Sequence, residues 1–287
     1  MLRSLRKTIG ALLLLALWPG ESLMMRAVLV VALLLAGNIL PTGVRATKMP
    51  SASLVQANRN EAEHLWELAI AAKGGRERLY AVSNLQISIR EKVWYKLRRV
   101  PYIEEDLYVF PSKYWEWNDQ RKSIFGFSIR VYNQDRDIDL WYTDHGRGGE
   151  VGRPVDLVHG KADLITLYDI QLRYLMETKW VRPIPLSVER AKLGGHSVDI
   201  VQTVVKGYPT KDGKDEKTIA FALDRQTHLP LQVDTVPLAD YTQVGGIEIP
   251  SKVYGLRSQC KINVDYNEQI FLGEPNVEGG IEQWKKK

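Results

Sequence analysis

A mainly β protein, built on an antiparallel meander with two helical stretches, is what this sequence predicts, on three observations. Apolar side chains recur at every second residue over much of 85–266. Clusters of turn residues separate these runs at intervals of roughly 8 to 12 residues, the spacing of strands that return by short turns. The apolar period changes to three or four residues in two places only, 61–73 and 161–179. A chain of 287 residues has room for one large all-β domain or two smaller ones, and no linker or repeat divides it beyond residue 46.

The first 46 residues read as an export signal. Arg3, Arg6 and Lys7 precede the apolar run 9–18, and a second start-like unit follows: Met24-Met25-Arg26, the apolar run 27–36, then Val44-Arg45-Ala46. A charged start, about ten apolar residues and short side chains before a cut are the secretory pattern, with cleavage expected after Ala46 and Met24 or Met25 as alternative initiators. Neither run reaches the ~20 apolar residues that span a bilayer. Five Lys/Arg and one Glu lie in this segment, so 34 basic residues face 33 acidic ones in the remainder, a net charge of +1. A nearly neutral protein lacks the basic footprint of a nucleic-acid binder. The expected organisation is a signal at 1–46, a flexible lead at 47–60, the main domain at 61–274 and a charged tail at 275–287.

Along the remainder, Ala62, Leu65, Trp66, Ala69 and Ile70 give 61–73 one apolar helical face, which Gly74-Gly75 end. A short helical piece is expected over 76–82. Strands then alternate: Leu85, Ile87 and Ile89; Leu107 and Val109 against Asp106 and Tyr108; Trp115 and Trp117 about Glu116; Phe125, Phe127, Ile129 and Val131. Asp144–Pro154 reads as a glycine- and charge-rich loop, and 161–179 as the second helix, ended by Pro183 and Pro185. Residues 198–205 resume the strands. The hairpins of 218–253 follow, with Gly245-Gly246 supplying the positive φ of a tight turn, and 262–266 is the last strand.

Four stretches carry a resemblance: Ala71-Ala72-Lys73-Gly74-Gly75 with Leu79 and the turn into Leu85; Leu193-Gly194-Gly195-His196-Ser197-Val198; Leu223 to Pro230, LDRQTHLP; and Tyr241 with Val244-Gly245-Gly246-Ile247-Glu248-Ile249-Pro250. In order and spacing they resemble the outer-membrane lipoprotein carriers, the LolA-like half-barrel family, over most of 61–266. The resemblance implies about eleven antiparallel strands in an incomplete barrel, with the N-terminal and one inserted helix over its concave face. It also implies a periplasmic, monomeric carrier without cofactor, whose partners are acylated lipoprotein or lipid cargo, an inner-membrane release complex and an outer-membrane acceptor. The aromatic region 94–141 and the loop at 144–154 depart from the better-known carriers.

The chemistry expected of such a protein is apolar. Trp66, Leu107, Val109, Trp115, Trp117, Phe125, Phe127, Ile219, Phe221 and Val233 are the expected lipid-binding residues, the strand aromatics lining a surface that Trp66 and its helix cover. Each exposed methylene costs about 0.8 kcal/mol, so a ~16-carbon chain left in water would cost on the order of 12 kcal/mol. The five histidines are scattered, Cys260 is the lone cysteine, and Glu104-Glu105-Asp106 reads as an exposed turn or strand edge. No catalytic residue and no metal site is expected. The alternatives are a hydrolase-like enzyme using Asp144 and His145, and a structural envelope protein that binds a partner through its sheet edge.

Overall fold

The computed structural model describes residues 52–95, 97–120, 126–143, 146–151, 159–210 and 213–272, within one compact unit, Ser51–Lys287. The expected signal segment, charged tail, Phe125, Asp144 and His145 lie outside the described residues.

Two helices open the described residues, α1 (Ala52–Ala72) and α2 (Arg76–Tyr80). Six strands follow: β1 (Asn84–Tyr95), β2 (Arg98–Val109), β3 (Lys113–Gln120), β4 (Gly126–Asn133), β5 (Ile138–Thr143) and β6 (Gly146–Val151). Helix α3 (His159–Leu175) then leads to β7 (Pro183–Leu193), β8 (His196–Lys206), β9 (Glu216–Asp224), β10 (Pro230–Val233), β11 (Val236–Val244), β12 (Ile247–Val253) and β13 (Leu256–Ile262).

All thirteen strands form one antiparallel sheet in the order β6-β5-β4-β3-β2-β1-β13-β12-β11-β10-β9-β8-β7. The first and last strands meet in its middle, Leu85 opposite Ile262 and Ile89 opposite Ser258. Its two edges, β6 and β7, are not paired with each other, so the sheet is an incomplete barrel. The segment that joins those edges contains α3, which must therefore cross a face of the sheet.

Thirteen strands replace the expected eleven or so because backbone pairing recruits stretches with weak side-chain signals. Gly146 to Val151, expected as loop, is a strand whose partners are Thr143 to Ile138. A ladder needs N–H and C=O groups in register, which glycine supplies as well as valine. The last strand is Leu256–Ile262 rather than 262–266, and Asn84 then takes the chain off the sheet: its side-chain oxygen accepts from Val264 N at 2.9 Å and its amide donates to Val264 O at 3.2 Å.

Helix α1 begins at Ala52, eight residues before the expected end of the flexible lead. Its extra turns are fixed by Asn58, whose amide donates to Val188 O at 2.9 Å and whose oxygen accepts from Val188 N at 3.0 Å. One side chain thus completes the backbone pairing of edge strand β7, which a bare edge would leave open.

Two apolar clusters flank the sheet. On the helix side, Trp66, Ala69 and Ile70 of α1 and Leu167, Leu172 and Leu175 of α3 pack on Leu85, Ile87, Phe221, Val233 and Ile249. On the other side, Leu107, Trp115, Trp117, Phe127, Ile129, Val131 and Leu140 pack with Ile270 and Phe271 from a 3-10 turn, Glu268–Phe271. Asn133 secures that turn by donating to Phe271 O at 3.0 Å.

Lys73 joins the helices to the sheet. It is fully buried at the end of α1, donates to Tyr174 O at 2.7 Å and to Glu248 O, and lies 5.0 Å from the Tyr241 ring centre. Beside it, Glu248 N donates to Lys73 O at 2.9 Å. Gly74, at φ +117°, lies so close to the β11–β12 turn that a Cβ there would sit 2.3 Å from Gly246 O. Two of the four stretches of the resemblance are therefore in direct contact.

Gly74→Ala is expected to cost at least ~2 kcal/mol in urea unfolding, since backbone strain and a backbone collision add. Gly195→Ala, at φ +90° but with open space around it, is the control and should cost less. Equal losses for the two would mean that the Gly74–Gly246 approach is unimportant.

Candidate functional site

The helix-covered face has an apolar half, under both helices, and a polar half on β2 to β5. In the apolar half a pocket of about 160 Å³ opens beside α3. Leu172 of α3, Ile219 of β9, Val233 of β10 and Val236 of β11 form its floor, and these residues continue into the helix-side core. Asp169, Arg173, Lys217, Asp234 and Tyr254 stand around its mouth.

The charges at the mouth neutralise one another. Arg173 Nη2 is 2.8 Å from Asp169 Oδ2, and Lys217 Nζ lies 3.6 Å from Asp169 and 3.5 Å from Asp234. Tyr208 OH donates to Asp169 at 2.6 Å, and the Arg173 guanidinium lies 5.6 Å from the Tyr254 ring. Two cations matched by two anions leave the mouth with no net charge, above a floor whose apolar side chains are almost fully buried. Its volume is below the roughly 300 Å³ at which small-molecule sites begin. A long apolar chain fits only if α3 shifts.

The expected lipid-binding residues do not share one surface. Trp66, Ile219, Phe221 and Val233 lie on the helix side, with Trp66 edge-on to Phe221 at 4.9 Å between ring centres. Leu107, Val109, Trp115, Trp117 and Phe127 lie on the opposite side, packed around Phe271. The pairing register decides this. Leu85 sits opposite Tyr108, and Tyr108 opposite Tyr114, so the tyrosines turn toward α1 and α3 while Leu107 and Trp115, one residue along, point away. Trp66 therefore covers Phe221, not the strand tryptophans.

What occupies the helix side of β2 to β5 is carboxylate and tyrosine. Asp106 and Glu116 are direct cross-strand partners, Glu104 is two residues from Asp106, and Arg130 sits opposite Glu116. Glu104 accepts from Tyr102 OH and from Asn118 Nδ2 at 3.4 Å, and Asp106 accepts from Tyr108 OH at 3.3 Å. Asp163 of α3, completely buried, enters from above: it accepts from Tyr114 OH and lies 2.6 Å from Arg130 Nη2. Asp139 is 3.8 Å from the same guanidinium.

Desolvation dominates the ionisation of this cluster. Burial, reinforced by Glu104, pushes Asp106 well above the carboxylate range and Glu116 up to about 7. Burial also carries Asp163 to about 7, against the opposing pull of Arg130 and Tyr114. At neutral pH Glu116 on the sheet and Asp163 on α3 stand at the edge of ionisation.

The sequence reading missed these residues. Glu104-Glu105-Asp106 was expected at an exposed turn or strand edge, yet Glu105 and Asp106 are 4% and 3% exposed within β2, which is paired on both sides there. Alternation was the available signal: Tyr102, Glu104, Asp106 and Tyr108 share one parity and Ile103, Glu105, Leu107 and Val109 the other. Glu105, on the far side, is satisfied by Ser88 OH and by Arg90 Nη2 at 2.9 Å. Cys260 lies near Lys73, and burial pushes its thiol up to about 11, which makes it inert at neutral pH. Among the described residues no three His, Cys, Asp or Glu side chains are grouped so as to hold a metal ion.

No protein-family model and no curated protein matches the chain. Solved structures similar to it include one described as an outer membrane lipoprotein-sorting protein domain from Vibrio parahaemolyticus, at 10% identity, covering 75% of this chain and 97% of that one with a TM-score of 0.37. A DUF1329 family protein from Desulfovibrio piger matches at 9% identity, covering 73% and 96% with a TM-score of 0.41. A LolA superfamily protein from Nitrosomonas europaea matches at 10% identity, covering 73% and 96% with a TM-score of 0.38. Similarity this remote transfers no residue role and no cargo.

The carboxyl cluster makes stability depend on pH. Unfolded, Glu116 and Asp163 ionise near pH ~4; folded, they hold their protons up to about 7. The folded state therefore binds more protons between those values, and stability falls as pH rises through that window. The urea midpoint should be higher at pH 5 than at pH 7, with a smaller difference in Glu116→Gln; an unchanged difference in the variant would exclude Glu116 as a source.

Proposed function

We propose that this chain is a non-enzymatic carrier, exported to the periplasm, that shields the acyl chains of lipid or lipoprotein cargo between α3 and the sheet. The observation that carries this reading is the pocket beside α3. Its floor of Leu172, Ile219, Val233 and Val236 is apolar, its mouth is self-neutralised, and it leads into the largest apolar core of the fold. Among the expected binding residues, Ile219 and Val233 belong to this floor, and Trp66 and Phe221 lie behind it.

The mechanism follows from how the two helices are held. Helix α1 is fixed along its length: Asn58 to the edge strand, Trp66 Nε1 to Glu177 Oε2 at 2.9 Å, and Lys73 to the sheet. Arg76 Nε and Tyr80 OH also donate to Glu177, at 2.6 and 2.8 Å. Helix α3 is held near its end through Tyr174 O, in its first half through Asp163 and midway through Asp169, which Tyr208 and Lys217 engage at the pocket mouth. The moving cover in this reading is α3, in place of the expected helix 61–73. Displacing it exposes Ile219 and Val233 to an entering chain, and closing it removes methylenes from water. Among the described residues no helix is long and apolar enough to cross a membrane.

A fluorescent fatty-acyl probe should bind the protein with an emission rise that saturates. Ile219→Trp, which fills the floor, should weaken that binding roughly tenfold, the loss expected when one or two buried methylenes' worth of contact is replaced by a clash. Absence of uptake by the parent protein, or uptake that Ile219→Trp and Val233→Trp both leave unchanged, would sink the reading.

A further inference from the structure

We propose that the tip of the β1–β2 hairpin docks the protein onto an anionic lipid surface. β1 pairs with β13 only from Leu85 to Ile89, and β2 pairs with β3 only from Ile103 to Val109. Beyond those points, among the described residues, the two strands pair only with each other, Arg90 to Tyr95 of β1 against Ile103 to Arg98 of β2, of which Ile103 still pairs with β3. Six residues of β1 and five of β2, at about 3.4 Å each, carry the ribbon roughly 17 to 20 Å beyond those pairings, with Val100 on it still buried.

The side chains on this ribbon are those of an interfacial anchor. Leu97 is 96% exposed and Trp94 68%, the two highest values among the exposed large apolar residues. Trp94 and Arg99 are direct cross-strand partners, with the guanidinium 5.7 Å from the indole centre. Lys92 and Arg98 are exposed beside them, and Glu91 is the one acidic residue in the sequence from 90 to 99. Arg90 is engaged with Glu105 and is not part of the anchor. Two apolar side chains held in water at a turn bear a standing cost that neither core of the fold explains.

The chemistry fits a bilayer better than a protein partner. Indole settles at the boundary between headgroups and acyl chains, leucine reaches below it, and Arg and Lys remain with the phosphates. Basic residues close to a membrane surface are attracted to its anionic lipids, each adding several-fold to partitioning. A specific protein interface would bury about 800 Å² per partner, more than the end of a two-stranded ribbon presents. A fluid surface has no such requirement.

The test uses the full chain with Leu97→Cys in a Cys260→Ser background, carrying a polarity-sensitive fluorophore at position 97, so that binding through any other segment leaves the reporter in water. Vesicles of phosphatidylcholine with about 30% phosphatidylglycerol should shift its emission to the blue, and brominated acyl chains should quench it. Pure phosphatidylcholine should bind roughly tenfold more weakly, as should Arg98→Glu/Arg99→Glu with the anionic vesicles. Trp94→Ala should weaken binding while leaving the melting temperature of the protein unchanged, since Trp94 lies outside both cores. Vesicle binding with the reporter still in water, equal binding to neutral and anionic vesicles, or a reporter shielded by an acidic protein but not by vesicles would each overturn the proposal. Acyl uptake in the pocket is read separately, so either inference can fail alone.

Discussion

One buried ammonium group holds this fold together. Lys73 ends α1, and its Nζ reaches the last turn of α3 through Tyr174 O and the start of β12 through Glu248 O, with the Tyr241 ring beneath. Burial lowers its pKa to about 7, against the partial support of Glu248 and Cys260. A lysine is an expensive way to satisfy two carbonyls, but it suits a junction where three elements end. The orphan carbonyl near the end of α3 and the first carbonyls of a strand lie too far apart for one backbone donor. A long stem with three donors spans them. Around it, glycines at 74, 245 and 246 let the helix end and the β11–β12 turn approach at backbone distance.

The topology gives this junction its consequence. Because β1 and β13 pair in the centre, the sheet's two edges come from the middle of the chain, at β6 and β7. The connection between them therefore has to traverse the sheet, and the sequence places α3 in it. Closing β6 on β7 would make a barrel; leaving them apart makes room for a helix across the face. The cover and the incompleteness of the sheet are thus one feature. At Val188 the edge β7 is paired by the amide of Asn58, which makes α1 part of the sheet's boundary.

How much of this was readable in the chain depends on whether the signal was periodic. The antiparallel sheet, both helices and the Gly245-Gly246 turn were legible, because apolar alternation and glycine turns are local properties. The strand at 146–151 was not, since its pairing is backbone-driven and its side chains have no period. The shared face of the expected lipid-binding residues was half legible. Ile219, Phe221 and Val233 were placed with Trp66, as they are found. Trp115 and Trp117 were grouped with them by hydrophobicity alone, although parity relative to Leu85 puts them on the reverse side. Faces of a sheet are assigned by register across strands, and register is a long-range property that no single strand declares. The same limit hid Asp106, buried in β2, and its cross-strand partner Glu116.

The ionisation of the groups that hold α3 bears on how firmly it can close. Near its C-terminal end it is bound by an ammonium whose pKa has fallen to about 7, and in its first half by a carboxyl whose pKa has risen to about 7. Lys73 favours the folded state increasingly as pH rises from 7 toward its unfolded value near 10, because the folded form has already shed its proton. Glu116 and Asp163 favour it increasingly as pH falls from 7 toward 4. The two contributions oppose each other and are jointly smallest around neutrality, where both kinds of group sit half-ionised under the helix. In the proposed carrier, fastening α3 partly through desolvated charges would lower the cost of lifting it near neutrality.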